Sequence, residues 1–399
     1  MPGPLTGCRV IELAHIMAGP VAGLMLADMG ADVIKVEKQN GDDTRRFVPP
    51  TINGESAAFM MMNRNKRGIV LDLKSKGGKQ ALLKLVKDAD VLIENYRKGT
   101  MEKLGLGYDV LKSINPGLIY CEVSGFGRTG PYAHRGGFDL IAQGMSGLMS
   151  ITGEGHGREP VKVGAPVSDI TSGIVAAMGI AAAYAHRLQT GVGQKVDTSL
   201  FEAAITQTYW QSAIAFATGV APQAMGSAHP LNAPYQSFKT KDGWINIGAA
   251  NQTNWERMLS LIGAEHLNED TRFASNFDRI QNRETLAELL TEVTITKTTD
   301  EWIAVFEKGG LPAGPVLSIT EMHEDPQAQA RDMIVSTSHP IAGDVQTIGL
   351  PVKFSETPGG VERPAPIKGQ HTCEVLAEAG FSEDEIAALV EEGAAVAAE

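Results

Sequence analysis

The chain has 399 residues, 43% of them hydrophobic and 21% charged, so two globular domains are expected and a disordered or fibrous protein is excluded. Its net charge of −12 argues against nucleic-acid binding, and its longest apolar helix, predicted at residues 174–185, is too short to span a membrane. Residues 1–135 nevertheless carry 19 Lys and Arg against 14 Asp and Glu, whereas residues 136–399 carry 16 against 33. This basic N-terminal third indicates a small anionic ligand, unless its cations only cover exposed faces.

The cysteines and the N-terminus predict a cytoplasmic protein. Cys8, Cys121 and Cys373 are far apart and have no metal-ligand spacing, so we expect free thiols in a reducing compartment. The first residues have neither the basic nor the apolar region of a signal peptide. The sequence contains no Walker A, H-E-x-x-H or G-x-S-x-G motif, so no P-loop, metal site or serine nucleophile is predicted.

Strands and helices alternate through the first third of the chain. We predict strands at 8–13, 32–37, 68–73, 90–94 and 118–123, and helices at 21–28 and 77–87. This alternation predicts a doubly wound, Rossmann-like parallel sheet, whose ligands bind beyond the carboxyl ends of the strands. The loops at those ends are residues 15–18, 38–46, 95–98 and 124–132.

One of these loops contains a misleading motif. The segment Gly125–Gly130 matches G-x-G-x-x-G and follows a predicted strand. However, it is followed by Pro131-Tyr132 rather than by a helix, and it does not follow the first strand of the sheet. The sequence therefore predicts no dinucleotide site here.

Asp169 is the leading candidate for a functional residue. It is the only side chain charged at neutral pH between Lys162 and His186, and it lies just before the apolar, small-residue run 174–185. A carboxylate at a helix N-terminus meets unpaired backbone N–H groups that favour its ionised form, so Asp169 could act as a nucleophile. From this stretch alone, an N-cap role is the simpler interpretation. Small residues such as Gly173 leave room for a ligand or for another backbone.

The second half of the chain indicates a smaller domain. A strand at 194–197 and a helix at 200–216 are followed by a linker at 219–232, a hairpin at 234–247, helices at 252–262, 283–293 and 299–308, and a second linker at 309–315. We therefore predict a large domain at 1–222, a smaller α+β domain at 223–325, and a C-terminal segment at 326–399 that returns to the large domain. Its last helix begins with a capping box at Ser382.

Several short motifs match one known family in their order and spacing. They are Ala18-Gly19-Pro20, residues 30–37, Asn65–Arg67 with Leu71–Lys74, residues 90–95, residues 124–131, the Asp169 segment, Thr190–Lys195 and Gly369–Thr372. On these motifs the chain resembles the class III coenzyme A transferases, the CaiB/BaiF family that includes formyl-CoA transferase and carnitine CoA-transferase. The resemblance covers nearly the whole chain.

The resemblance implies a reaction and a set of partners. Asp169 would attack an acyl-CoA thioester to form an aspartyl anhydride, and CoA would then form an aspartyl-CoA thioester before passing to an acceptor acid. The substrates implied are an acyl-CoA and a small carboxylic acid, with no metal and no permanently bound cofactor. The family also implies an interlocked homodimer.

The same motifs imply which residues contact CoA. They are Ile16, Met17, Ala18, Lys38, Leu71, Asp72, Leu73, Lys74, Asn95, Tyr96, Arg97, Lys103 and Phe138. The basic residues among them suit a polyanion such as CoA, although Lys38 and Lys103 could also be ordinary surface lysines.

Three positions depart from individual branches of the family. Formyl-CoA transferases would have glutamine at Met17 and a tetraglycine loop in the small domain, and both are missing, so formyl or oxalate specificity is not expected. The racemase branch has histidine at the position of Phe138, and phenylalanine cannot move a proton. An acyl-CoA racemase that uses Asp169 as acid and base is therefore less favoured than a transferase, and it is kept as the alternative function. The segment 229–236 resembles members acting on dicarboxylic acids, so His229 either faces the acceptor or is an ordinary linker residue.

Overall fold

The computed structural model of the chain describes residues 2–398 and divides them into two compact units. The larger unit comprises the residues up to Leu148, Val163–Thr208, and the residues from Pro326 onwards. The smaller unit comprises Met149–Lys162 and Tyr209–Asp325.

A seven-stranded sheet forms the centre of the larger unit. From one edge to the other its strands are Ala395–Val396, Arg67–Leu71, Asp32–Glu37, Arg9–Glu12, Val91–Glu94, Ile119–Ser124 and Lys195–Ser199. All neighbouring pairs are parallel except the first, in which Ala395–Val396 runs antiparallel to its neighbour. Numbered along the chain, the six parallel strands have the order 3-2-1-4-5-6, which is the doubly wound Rossmann arrangement. The predicted fold class of this unit is therefore confirmed.

The alternation of side chains along each strand builds a hydrophobic core on both faces of this sheet. Val10 and Val33 point to one face, where they pack with residues of the helices Ala18–Asp28 and Val167–Thr190. Ile11 and Ile34 point to the other, where they pack with residues of the helix Lys76–Lys87. Burial on both faces explains why these strands are continuously apolar in sequence.

The remaining elements of the larger unit surround the sheet. Its helices are Ala18–Asp28, Ala57–Asn63, Lys76–Lys87, Thr100–Lys103, Tyr108–Ile114, Asp139–Met145, Val167–Thr190, Leu200–Thr206, Pro326–Ala330, Thr372–Glu378 and Glu383–Glu391. Two hairpins, Thr51–Ile52 with Glu55–Ser56 and Ile334–His339 with Gly343–Ile348, complete it. Ser382 caps the last helix in a capping box, as predicted.

The helix that carries Asp169 is longer than predicted. It spans Val167–Thr190, a total of 24 residues, so the statement that this apolar segment is too short to cross a membrane was wrong. Between residues 2 and 398 it is the one helix whose length and composition would allow a crossing, a test that core helices also pass. Its residues Gly173 and Ala176 are buried, and Gly173 lies directly against Val21 of the neighbouring helix.

The smaller unit is an antiparallel sheet packed against helices. Its strands are Ala313–Pro315, Trp244–Gly248 and Tyr235–Lys239, in that order across the sheet. Its helices are Tyr209–Thr218, Gln252–Ile262, Asn276–Gln281, Arg283–Thr294, Thr299–Gly309 and Ile319–Glu324. The core contains Trp255 and Trp302, both almost fully buried.

Three predictions for this region need correction. The run 309–315 is not simply a linker, because Ala313–Pro315 forms an edge strand, a position that tolerates proline. The helix predicted at 200–216 is two helices, Leu200–Thr206 and Tyr209–Thr218. Residues 209–222, predicted for the large domain, belong to the smaller unit.

The smaller unit also includes residues 149–162. The amide N–H of Gly226 donates to the carbonyl of Gly153 at 2.9 Å, and the side chains of His156 and Gln223 lie 3.2 Å apart. A contact between segments about 70 residues apart leaves no periodic signal in the sequence, which is why the boundary was misplaced.

Candidate active site

A cavity of about 360 Å³ lies at the point where the strand order of the large sheet reverses. The strands Arg9–Glu12 and Val91–Glu94 are neighbours there, and the loops that follow them diverge. The two loops are tied together by Asn95, whose side chain accepts from the His15 N–H at 3.0 Å and donates to the His15 carbonyl at 2.7 Å. A cleft between these loops is where a doubly wound fold binds its ligand.

Eight of the predicted site residues line this cavity. They are Ile16, Met17, Ala18, Asn95, Tyr96, Arg97, Phe138 and Asp169. They come from four separate parts of the chain. Residues 16–18 and 95–97 follow neighbouring parallel strands, whereas Phe138 precedes the helix Asp139–Met145 and Asp169 lies in the helix Val167–Thr190.

A buried ion cluster fixes the first loop of the cavity. Ile16 has a φ of +68°, a left-handed conformation that is costly for a β-branched residue. Its N–H donates to both carboxylate oxygens of Asp42 at 3.3 Å, and Asp42 is paired with the buried Lys35 at 2.8 Å. Although burial opposes ionisation, the charge of Lys35 and its hydrogen bond keep the pKa of Asp42 below its usual value. Lys35 also donates to the carbonyl of Ala14 at 3.0 Å. One cation therefore holds the loop at Ala14 directly and at Ile16 through Asp42.

Asp169 is not the N-cap of its helix. The helix begins at Val167, and Asp169 is its third residue. The N-cap position is Pro166, which supplies no side-chain hydrogen bond. A second carboxylate takes that role: Asp139 accepts a hydrogen bond from the Ser168 N–H at 2.9 Å. The side chain of Asp169 is thereby left for another purpose, and no residue between 2 and 398 donates a hydrogen bond to it.

The pKa of Asp169 is raised to about 6, from an ordinary value of 3.8. The larger cause is burial, which penalises the charged form, and the second is the nearby negative charge of Asp139. Burial and Asp139 therefore outweigh the helix N-terminus, which was expected to favour the ionised form of Asp169. A carboxylate with a pKa near 6 is still mostly ionised at pH 7, and it is more basic than an exposed one.

Asp139 is itself held in place by a short chain of hydrogen bonds. Its second oxygen accepts from the side-chain amide nitrogen of Gln143 at 2.7 Å, and the side-chain oxygen of Gln143 accepts from the Val163 N–H at 2.9 Å. Gln143 is fully buried. One oxygen of Asp139 therefore holds the first turn of the Asp169 helix, and the other is held by Gln143.

A second cleft, of about 220 Å³, adjoins the first. It is lined by the predicted residues Lys38, Leu71, Asp72, Leu73, Lys74 and Tyr96. Tyr96 and Thr100 line both clefts, so the two are adjacent. Lys38 is also paired with Asp43 at 2.8 Å. Lys103 is exposed and lines neither cleft, so the structure does not bring it together with the other predicted residues.

The small residues of the Asp169 helix serve packing rather than ligand access. A Cβ atom on Gly173 would lie 2.6 Å from the Cβ of Val21 and 2.7 Å from the carbonyl oxygen of Ala18. The space beside Gly173 is thus filled by the helix Ala18–Asp28. Gly173 therefore does not make room for a ligand. It allows the close approach of another backbone, which was the other expectation.

His229 lies in the smaller unit, in a cluster of aromatic rings. Its Nδ1 accepts from the Leu231 N–H at 3.1 Å, and its ring contacts Trp210 and Tyr235 edge-on, at centroid distances of 6.3 and 5.3 Å. These contacts give His229 a structural role in its loop. Its proposed role toward the acceptor stays a prediction.

Several polar residues that line the first cavity were not predicted individually, among them His15, Lys98, Arg128 and Arg135. Asp139, which does not line the cavity but accepts from the Ser168 N–H, was not predicted either. Arg128 lies within the Gly125–Gly130 motif, and Arg135 follows it by a few residues. Both come after a predicted strand in the basic third of the chain, which is a signal that could have identified them. Asp139 gave no such signal, because its contact with Ser168 depends on the tertiary fold. Within residues 2–398, no cluster of three or more His, Cys, Asp or Glu side chains could hold a metal ion.

Comparison with known proteins gives a consistent result. The sequence family described as CoA-transferase family III matches residues 5–372. A succinate–glutarate CoA-transferase of Agrobacterium fabrum is 41% identical over 94% of the chain and 95% of its own length. An acetyl-CoA:oxalate CoA-transferase of Acetobacter aceti is 39% identical over 91% of the chain and 92% of its own length.

A solved structure has the same fold. The crystal structure of a CaiB/BaiF family protein from Brucella suis superposes with a TM-score of 0.86 and is 40% identical. The match covers 95% of this chain and all of that one.

Proposed function

This chain belongs to CoA-transferase family III, and on that premise we propose that it moves coenzyme A from an acyl-CoA donor to a small dicarboxylic acid by way of Asp169. The observation that carries the proposal is the Asp169 carboxylate. It lines the cavity at the reversal of strand order, it receives no hydrogen bond from the described residues, and burial raises its pKa.

The proposed chemistry begins with an anhydride. An oxygen of Asp169 attacks the thioester carbonyl of the donor, the C–S bond breaks, and CoA leaves as its thiolate. The thiolate then attacks the Asp169 carbonyl carbon, releasing the donor acid and forming an aspartyl-CoA thioester. The acyl groups stay activated throughout, as thioester or anhydride, provided that the cavity excludes water.

The second half of the reaction reverses the first. The acceptor carboxylate attacks the aspartyl thioester, which releases the CoA thiolate and forms a mixed anhydride. Attack of the thiolate on the acceptor side of this anhydride yields the new acyl-CoA and restores the Asp169 carboxylate. The raised pKa assists the first step, because a more basic carboxylate is a better nucleophile.

We also propose that CoA occupies the two adjoining clefts. The nucleotide end would lie along Leu71–Lys74 in the second cleft, and the thioester would reach Asp169 in the first. Lys38 and Lys74 line the second cleft and offer positive charge to phosphate groups. The dicarboxylic acceptor is supported by the substrates in the names of the two relatives, glutarate and oxalate. Position 17 is methionine rather than the glutamine of formyl-CoA transferases, which makes oxalate the less favoured of the two acceptors.

Trapping of the covalent adduct tests the proposal directly. The protein is incubated with succinyl-CoA, quenched with hydroxylamine, and digested for mass spectrometry. We expect a hydroxamate on the peptide that contains Asp169, and at least a 1,000-fold loss of CoA transfer to glutarate in Asp169→Asn, since removing the nucleophile of a serine protease lowers kcat by roughly 10⁶-fold. Asp344→Asn, an exposed carboxylate on a hairpin, is the matched control. Full activity of Asp169→Asn would refute the mechanism.

The alternative function, acyl-CoA racemisation, has weaker support. A racemase needs two groups that exchange protons at the α-carbon. Phe138 cannot do so, and both oxygens of Asp139 are engaged by Ser168 and Gln143. Deuterium incorporation at the α-carbon without CoA exchange would favour the racemase.

We further propose a homodimer located in the cytoplasm. The helices Asp139–Met145 and Val167–Thr190 contact each other and expose apolar side chains that water disfavours, among them Leu140, Ile174 and Met178. The location is supported by three free cysteines, of which Cys8 and Cys121 are buried.

A further inference from the structure

Four cationic side chains line the cavity that contains Asp169, and two of them are already committed. Lys98 donates to the carbonyl of Arg128 at 2.6 Å. The guanidinium of Arg128 is paired with Glu94 at 2.7 Å and with Glu122 at 3.1 Å. Among residues 2–398, Arg97 and Arg135 have no carboxylate within ion-pair distance, and neither has Lys98, whose ammonium is instead occupied by the Arg128 carbonyl.

Arg135 is held in place without being neutralised. Its guanidinium stacks on the ring of Tyr132, with 4.0 Å from the central carbon to the ring centroid. Stacking engages the faces of the guanidinium and leaves the N–H groups at its edge free to bind a planar carboxylate through two hydrogen bonds.

Two further aromatic rings hold Tyr132 in place. Its ring meets the edge of Phe126 at a centroid distance of 5.8 Å, and Phe126 lies 5.8 Å from Phe201. Phe201 belongs to the helix Leu200–Thr206, which packs against the Asp169 helix. Arg135 is therefore connected by side-chain contacts to the same framework that positions Asp169.

The loop that carries Arg135 also crosses another loop at very close range. A Cβ atom on Gly125 would lie 2.7 Å from the Cα of Gly137, and a Cβ on Gly137 would lie 2.6 Å from the Cα of Gly125. Only two glycines permit this crossing. It fixes the segment 135–138 at the rim of the cavity, next to Asp139, which holds the first turn of the Asp169 helix.

From this geometry we propose that Arg135 recognises the second carboxylate of the dicarboxylic substrate, the one that does not react with Asp169. The inference rests on the proposed function and specifies how the site selects its substrate class. The reacting carboxylate must approach Asp169 and the thiolate, so the cation for the remote carboxylate must line the same cavity and be unpaired. Arg97 meets those two conditions as well, but it belongs to the Asn95–Arg97 segment assigned above to CoA, and Arg135 alone is pre-oriented by an aromatic ring.

The test compares an acid with its half-ester. Glutarate and monomethyl glutarate have the same length and the same reacting carboxylate, but the half-ester lacks the remote charge. We expect Arg135→Gln to lower kcat/KM for glutarate by about 10- to 100-fold, the range for losing a hydrogen-bonded charged partner. The value for the half-ester should change less than about twofold, and Arg135→Lys, which keeps the charge but not the planar fork, should be intermediate.

Three controls make the outcome decisive. Arg331→Gln removes one exposed positive charge outside the cavity and should leave both acceptors unaffected. Thermal unfolding of Arg135→Gln should match the wild type. Calorimetric titration with free CoA should give an unchanged Kd in Arg135→Gln.

Two results would overturn the inference. Equal losses for glutarate and the half-ester together with weaker CoA binding would assign Arg135 to CoA instead. Unchanged kinetics for both acceptors would remove Arg135 from recognition altogether. If the wild-type protein transfers CoA to neither acceptor from any acyl-CoA tested, the proposed function has failed before the role of Arg135 arises.

Discussion

At the scale of single residues, the site depends on how two carboxylates divide their tasks. Asp139 provides the hydrogen bond that begins the helix, and Asp169 is left with an unengaged side chain and a raised pKa. In most helices the side chain of the N-cap residue itself accepts a hydrogen bond from an N–H group of the first turn. Here the cap comes from a different helix, so the acid in the first turn is available for chemistry.

The raised pKa of Asp169 predicts the acid limb of the pH–rate profile. Since the ionised carboxylate attacks, kcat/KM for the acyl-CoA donor should fall about tenfold per pH unit below about pH 6. Asp139→Asn removes the neighbouring negative charge, which lowers the pKa of Asp169 and moves this limb to lower pH. Stopped-flow measurement of CoA release between pH 5 and 8 checks both statements. A limb that remains at the same pH in Asp139→Asn would show that burial alone sets the pKa.

Among the loop residues of the site, the sequence could predict those that follow strands. Loop positions such as Met17 and Asn95 come directly after recognisable buried strands, and the doubly wound topology brings such loops together. The placement of Asp139 against Ser168 could not be predicted, because it depends on the packing of one helix against another. The direction of the Asp169 pKa shift was mispredicted for the same reason: burial is a tertiary property.

At the scale of elements, the contact between the helices Ala18–Asp28 and Val167–Thr190 sets the position of Asp169. We expect Gly173→Ala to destabilise the protein by about 1–3 kcal/mol, because the added methyl group would overlap Val21 and the Ala18 carbonyl. It should also lower activity, since both Ala18 and Asp169 line the cavity. Urea denaturation and steady-state kinetics measure the two effects.

Gly164→Ala is the matched control for this change. Gly164 lies just before the same helix, and a Cβ there would have no atom within 4 Å. Its variant should unfold within about 0.5 kcal/mol of the wild type. Equal stabilities of the two variants would mean that the helices can separate without cost.

Hydrophobic periodicity predicted the strands and long helices to within a few residues at their ends. It failed where the pattern was weak or interrupted. The strand Ala313–Pro315 has the Gly and Pro content of a linker, and only its pairing with Trp244–Gly248 makes it a strand. The helix containing Asp169 was predicted too short because His186 and Arg187 seemed to end it, although charged residues continue a helix readily on its exposed side.

At the scale of the whole molecule, the exposed apolar residues of the larger unit predict self-association. Met178 is 66% exposed on the Asp169 helix, and Ile174 lies one turn before it. We expect the wild type to elute as a dimer in light-scattering chromatography and Met178→Glu to shift it toward the monomer, because a buried unpaired charge is costly. Val110→Glu, at another exposed apolar position, is the control and should remain dimeric. A monomeric wild type would refute the homodimer.

The strand Arg67–Leu71, the outermost of the six parallel strands, has a consequence for how the protein is made. Its outer side is covered by Ala395–Val396, and its N–H groups at Gly68 and Val70 donate to His371 and Thr372, partners some 303 and 302 residues later. During translation this strand therefore emerges long before the segment that covers it, and it leaves a bare sheet edge for nearly the whole period of synthesis. Ribosome-bound chains stopped before residue 371 should accordingly recruit chaperones more strongly than finished ones.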